Sequence, residues 1–127
     1  MIKSKYIADI LDLLLDGDEL GQQARAQIAF LTEKNFDYTG VGLFVKFDHA
    51  EEIENHRLVT DKTAINGLEI KSTSLEIAAE AIVHLVDGLV DHLEIWSYSG
   101  EYPTTELADY KLRQAWLNGQ GREIEVN

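Results

Sequence analysis

The chain has 127 residues, 45% hydrophobic and 27% charged, with 23 Asp and Glu against 11 Lys and Arg for a net charge of −12. That is the size and composition of one folded domain with a core of its own, and the carboxylate excess argues against nucleic acid and against anionic membranes, which both need clustered Lys and Arg. With no cysteine, disulfides, thiolate nucleophiles and cysteine-ligated metals are ruled out.

No window approaches the run of about 18 apolar residues that a membrane span requires. Behind the basic start, Asp9, Asp12 and Asp16 interrupt the apolar stretch where a signal peptide would be uncharged, so a cytoplasmic location is expected.

In chain order, the first predicted element is a helix over 3–15. Tyr6, Ile7, Ile10, Leu11 and Leu14 recur at helical spacing, with Asp9, Asp12 and Asp16 on the other side. Asp16-Gly17-Asp18 breaks it. The same stretch starts like a calcium loop, but Leu20 and Gln27 stand where oxygen ligands belong, so a helix-to-helix turn fits better. A second helix is predicted over 19–34, with Leu20, Ala24, Ile28 and Leu31 on one stripe.

The period then changes. Val41, Leu43, Val45 and Phe47 alternate with Gly42, Phe44 and Lys46, as in a strand. Residues 48–62 are polar and acidic and read as a loop with one helical turn at most. Asn66-Gly67 reads as a turn leading into a short strand near 68–73. A C-terminal helix is predicted from Thr104, with Ala108, Leu112, Ala115 and Trp116 on one face and Gly119 or Gly121 as its stop. Residues 122–126 read as an edge strand or a frayed end.

The clearest feature is a hairpin, with strands 77–86 and 89–98 around Asp87-Gly88. A two-residue turn would pair Val86 with Leu89 and Glu80 with Ile95, scattering charges over both sides. A three-residue turn with Gly88 left-handed pairs Leu85 with Leu89 and gathers Ile77, Ala79, Ala81, Val83, Leu85, Leu89, Leu93 and Ile95 on one side, with Asp91 as its single charge. A half-buried antiparallel sheet favours that segregation, so the three-residue turn is expected. The other side then carries Glu80, Ile82, His84, Val86, Val90, His92, Glu94, Trp96 and Tyr98, with Glu80 facing Glu94.

Together these elements predict one α+β domain over 1–127. It would be an antiparallel sheet of about four strands, with two N-terminal helices and one C-terminal helix packed on one face.

The outer side of the hairpin holds the candidate site: Glu80, His84, His92, Glu94, Trp96 and Tyr98. Aromatics with polar tips, here Trp96 and Tyr98 beside Tyr102, are common interface anchors. The run Asp48-His49-Ala50-Glu51-Glu52-Ile53-Glu54 adds carboxylates. Phosphate-binding glycine loops and nucleophile elbows are missing from the sequence, so no catalytic residue, metal ligand set or cofactor is assigned. An enzyme is the less favoured class.

The segment Asp87-Gly88-Leu89-Val90-Asp91-His92-Leu93-Glu94-Ile95-Trp96-Ser97-Tyr98, followed by Glu101-Tyr102-Pro103, resembles a strand shared by a group of small, mostly uncharacterised bacterial proteins. Acidic α+β proteins of this size and style include immunity proteins that neutralise a toxin. The resemblance covers about a third of the chain and carries over no catalytic residue. It implies a binding role.

The expected function is therefore a protein-binding module, of toxin-immunity or inhibitor type, acting on a basic partner. The alternative is a small-molecule or metal-binding protein, enzymatic or not, using the outer face of the 77–98 hairpin. Self-association into a homo-oligomer is a third reading.

Overall fold

The computed structural model describes residues 1–115 and 121–127. Helix α1, Lys5–Leu14, starts at Ser4, whose side chain accepts a hydrogen bond from the Ile7 amide at 3.1 Å. It buries Tyr6, Ile7, Ile10, Leu11, Leu13 and Leu14. Helix α2, Glu19–Ala24, is capped by Asp18, which accepts from the Gly21 amide at 2.7 Å. The Asp16–Gly21 stretch is thus a helix-to-helix turn, as expected.

The second helix does not reach residue 34. It passes into a 3-10 segment, Arg25–Phe30, and the chain then enters strand β1, Leu31–Tyr38. Strand β2, Gly42–His49, pairs with β1. Without β1, the edge of β2 would present unpaired backbone groups. That long-range pairing outweighs the helical stripe of Leu20, Ala24, Ile28 and Leu31.

A 3-10 segment, Glu51–His56, is the only helical turn in the following loop among the described residues. Strand β3, Ala64–Ser72, is longer than predicted. Asn66-Gly67 lies inside it as an irregularity between Ile65 and Leu68, with Gly67 at φ 112°. Strands β4, Ile77–Val86, and β5, Leu89–Ser99, form the hairpin.

The predicted C-terminal helix is replaced by strand β6, Tyr110–Gln114, in which Tyr110, Leu112 and Gln114 are buried and alternate with exposed Lys111 and Arg113. That period of two belongs to a strand. Trp116 and Gly119, assigned to the helix's face and end, lie outside the described residues. Strand β7, Glu123–Val126, closes the sheet.

The expected four-strand sheet with three covering helices is thus corrected. The described chain forms one seven-stranded antiparallel sheet in the order β1-β2-β5-β4-β3-β6-β7. Helix α1 packs on β3, β4 and β6 from one side, and the core lies between, from Ile7, Ile10 and Leu14 to Val45, Ala79, Ala81, Leu93 and Leu112. No helix is long and apolar enough to cross a membrane among the described residues.

Two buried carboxamides tie this layer together. Gln27 Nε2 donates to the His56 and Gly88 carbonyls, both at 2.9 Å, and its Oε1 accepts from the Val90 amide at 2.8 Å. Gln114 Nε2 donates to the Leu13 carbonyl and to Asp16 Oδ2, both at 3.0 Å, joining the end of α1 to β6. Gln27 gives the buried Val90 amide its partner, and both carboxamides find partners for their own buried polar atoms.

Candidate functional site

The hairpin turn sets which side chains leave the core. Asp87 and Gly88 both have positive φ, 51° and 79°, and Val86 pairs with Leu89. This is a two-residue type I′ turn, so the expected three-residue turn is wrong. A side chain at Gly88 would also collide with the backbone, since a Cβ there would lie 2.1 Å from the Leu58 carbonyl oxygen.

The register then slips by one residue. Leu85 pairs with Val90, but His84 pairs with His92, Ile82 with Glu94 and Glu80 with Trp96, leaving Asp91 as an extra residue in β5. This bulge restores the alternation that the short turn would have inverted. Ile77, Ala79, Ala81, Val83, Leu85, Leu89, Leu93 and Ile95 are therefore all buried. Two assignments change sides. Val90 is buried rather than outward, and the Asp91 carboxylate bonds to Lys46 Nζ at 2.6 Å and His92 Nδ1 at 2.8 Å on the open side. Burial works against the ionised Asp91, but the hydrogen bonds from Lys46 and His92 outweigh it and hold its carboxyl below the usual range.

Glu80 does not face Glu94. Its neighbours across the strands are Trp96 on β5 and Glu69 on β3. His84 and His92 stack with ring centres 4.4 Å apart and planes 12° from parallel. His84 Nε2 lies 2.8 Å from Glu94 Oε1. Phe44, on β2, leans over His92 with ring centres 6.1 Å apart. Trp96 and Tyr98 form a second aromatic pair at 5.9 Å. All six predicted residues thus share one sheet face.

Exposure marks out this region. Phe44 is 37% exposed, Trp96 47% and Tyr98 48%, on a sheet whose described helix packs on the other side. Gly42 sits beside the indole, paired with Trp96, and a Cβ there would lie 1.8 Å from the Ile95 carbonyl oxygen. Its bare backbone lets β2 close on β5.

A depression of about 310 Å³ opens next to Tyr98, lined among the described residues by Asn66, Gly67, Glu69, Ala79, Glu80 and Ala115. Glu69 is surrounded by Arg113 Nη2 at 3.3 Å, Lys71 Nζ at 3.5 Å and the Tyr98 hydroxyl at 3.4 Å. Partial burial and Glu69 together raise the Tyr98 pKa.

Tyr102 does not join this patch. It is buried on the helical side, its hydroxyl 2.8 Å from that of Tyr6, and burial raises its pKa. The acidic run also divides. Ile53 enters the core, Asp48 lies 3.8 Å from Lys34 and Glu54 pairs with Arg57 at 2.6 Å.

Among the described residues, no three His, Asp or Glu side chains are grouped so as to hold a metal ion. Phe44, Lys46 and Glu69 were not singled out from sequence. Phe44 carried a usable signal, since it alternates with the buried Leu43, Val45 and Phe47 and so had to point outward. The chain matches no protein-family model, no curated protein and no solved structure.

Proposed function

We propose that the chain is a protein-binding module of the inhibitor or immunity type and meets its partner with the uncovered side of β2, β5 and β4. The observation that carries this reading is the exposure of Phe44, Trp96 and Tyr98 together on one sheet face. Large aromatics contribute most of the energy at interfaces when a partner removes them from water. Carboxylates at Glu80 and Glu94 lie among them, and the chain as a whole carries −12. A basic protein is therefore the partner, and nucleic acid and membrane surfaces are not. The lack of cysteine suits a cytoplasmic setting.

A metal or small-molecule site on His84, His92, Glu80 and Glu94 has less support. His84 is bonded to Glu94 and His92 to Asp91, and Glu80 lies further along the strand beside Trp96.

The test is retention of proteins from the source cells on the immobilised chain across a salt series, in parallel with a Phe44→Ser/Trp96→Ala double variant. The expected outcome is a basic protein held by the wild type at low salt, released as salt rises and not held by the variant. Equal retention by both, or retention of nothing basic, would overturn the proposal.

A further inference from the structure

We infer that the depression beside Tyr98 receives an arginine side chain of the partner, with its guanidinium at the Glu80 carboxylate and against the rings of Trp96 and Tyr98. The inference rests on the reading of this face as a protein-binding surface and specifies its chemistry.

Three observations converge on it. The first is an imbalance of charge. Glu69 and Glu80 face each other directly across β3 and β4, an arrangement that disfavours a sheet unless something positive intervenes. Glu69 has Arg113 and Lys71 within 3.5 Å, whereas Glu80 has no ion-pair partner among the described residues. One half-buried negative charge is left over at the mouth of the cavity.

The second is shape. The irregularity at Asn66-Gly67 opens a hollow of about 310 Å³ between Glu69, Glu80 and Tyr98, and the Tyr98 ring at its edge packs on Trp96. The third is the combination of carboxylate with ring faces. A planar guanidinium can donate hydrogen bonds to a carboxylate while lying flat on an aromatic ring, which an ammonium does less well.

Other occupants fit less well. A divalent cation would find only one unmatched carboxylate. An anion would meet Glu80. A second copy of the chain would bring another −12 towards the same acidic surface.

The experiment titrates the isotope-labelled full chain with N-acetyl-arginine-N′-methylamide and follows amide and indole resonances by NMR. The uncharged citrulline counterpart and the lysine counterpart are run in parallel. Saturable shifts at Glu80, Trp96 and Tyr98 are expected with arginine, weaker binding with lysine and none with citrulline. Glu80→Gln should weaken arginine binding about fivefold or more. It should also raise the denaturation midpoint, because the repulsion with Glu69 is gone. Citrulline shifting the same resonances equally, or Glu80→Gln binding arginine as wild type does, would sink the inference.

Adding Glu80→Gln to the salt-series retention test separates the two ideas. Full partner binding by Glu80→Gln, with loss in the Phe44→Ser/Trp96→Ala variant, removes the arginine pocket and leaves the interface standing. Indifference of both variants removes both.

Discussion

The uncovered face of the sheet has two halves that treat charge in opposite ways. On β3, β6 and β7, Glu69 lies near Arg113 and Lys71, and Lys111 lies 3.6 Å from Glu123. On β2, β5 and β4 the surface is Phe44, the stacked His84 and His92, and Trp96 with Tyr98. The first half neutralises its charges with its own residues. The second leaves aromatic surface in water and, among the described residues, Glu80 without an ion-pair partner. One sheet face can thus be left open both where its charges match one another and where aromatic rings stand in water.

The contrast breaks most completely if the hairpin register is lost. Gly88→Ala forces a side chain into a left-handed turn and against the Leu58 carbonyl, which should cost on the order of 3 kcal/mol. Urea denaturation would measure it. A loss below about 1 kcal/mol would mean that the turn can move without disturbing the strands it joins.

Acid should separate the two halves next. Asp16 is held down to about 2 by hydrogen bonds from Gln114 and Gln22 and by Arg122. Its folded pKa lies below the unfolded value of about 3.9, so its contribution to stability is present above that value and fades as pH falls from about 4 to 2. Because Gln114 and Arg122 belong to the β6–β7 end, hydrogen exchange at Leu112 and Ile124 should accelerate at pH 3 before exchange at Leu93 does. Asp16→Asn should remove the difference. Equal acceleration at all three sites would show that the sheet unfolds as one unit in acid.

The smallest effect belongs to the neutralised half. Arg113→Gln removes a solvent-exposed ion pair, and such pairs contribute about 0–1 kcal/mol. Stability should change little, and partner binding in the salt series should stay within about twofold of wild type. A large loss of binding would extend the interface to Arg113 itself.

Much of the aromatic half was legible in the sequence, because strands of ten or so residues with period-two alternation fix which side chains travel together. The pairings were not legible. The bulge at Asp91 is held by Lys46, 45 positions away in the chain, and Glu80 meets Glu69 only because β3 lies beside β4. Strand β1 was hidden by a helical stripe that local pattern favours and sheet pairing overrules. Strand β6 was hidden by its length. Tyr110, Leu112 and Gln114 give too few alternations to outweigh Ala108, Leu112 and Ala115 at helix spacing. Gln27 could not be read as a core residue at all, since its three partners come from two distant segments.

The extra residue at Asp91 makes turn length and strand length interchangeable counters. A two-residue turn alone would send Glu94 and Trp96 to the side opposite Glu80 and His84, and the added residue counts them back. A related chain with one residue more in the turn and one fewer near position 91 would present the same side chains to the outside. A chain with only one of those changes would turn half of its aromatic face inward. Length variation in this hairpin should therefore come in compensating pairs, even where the amino acids themselves have diverged.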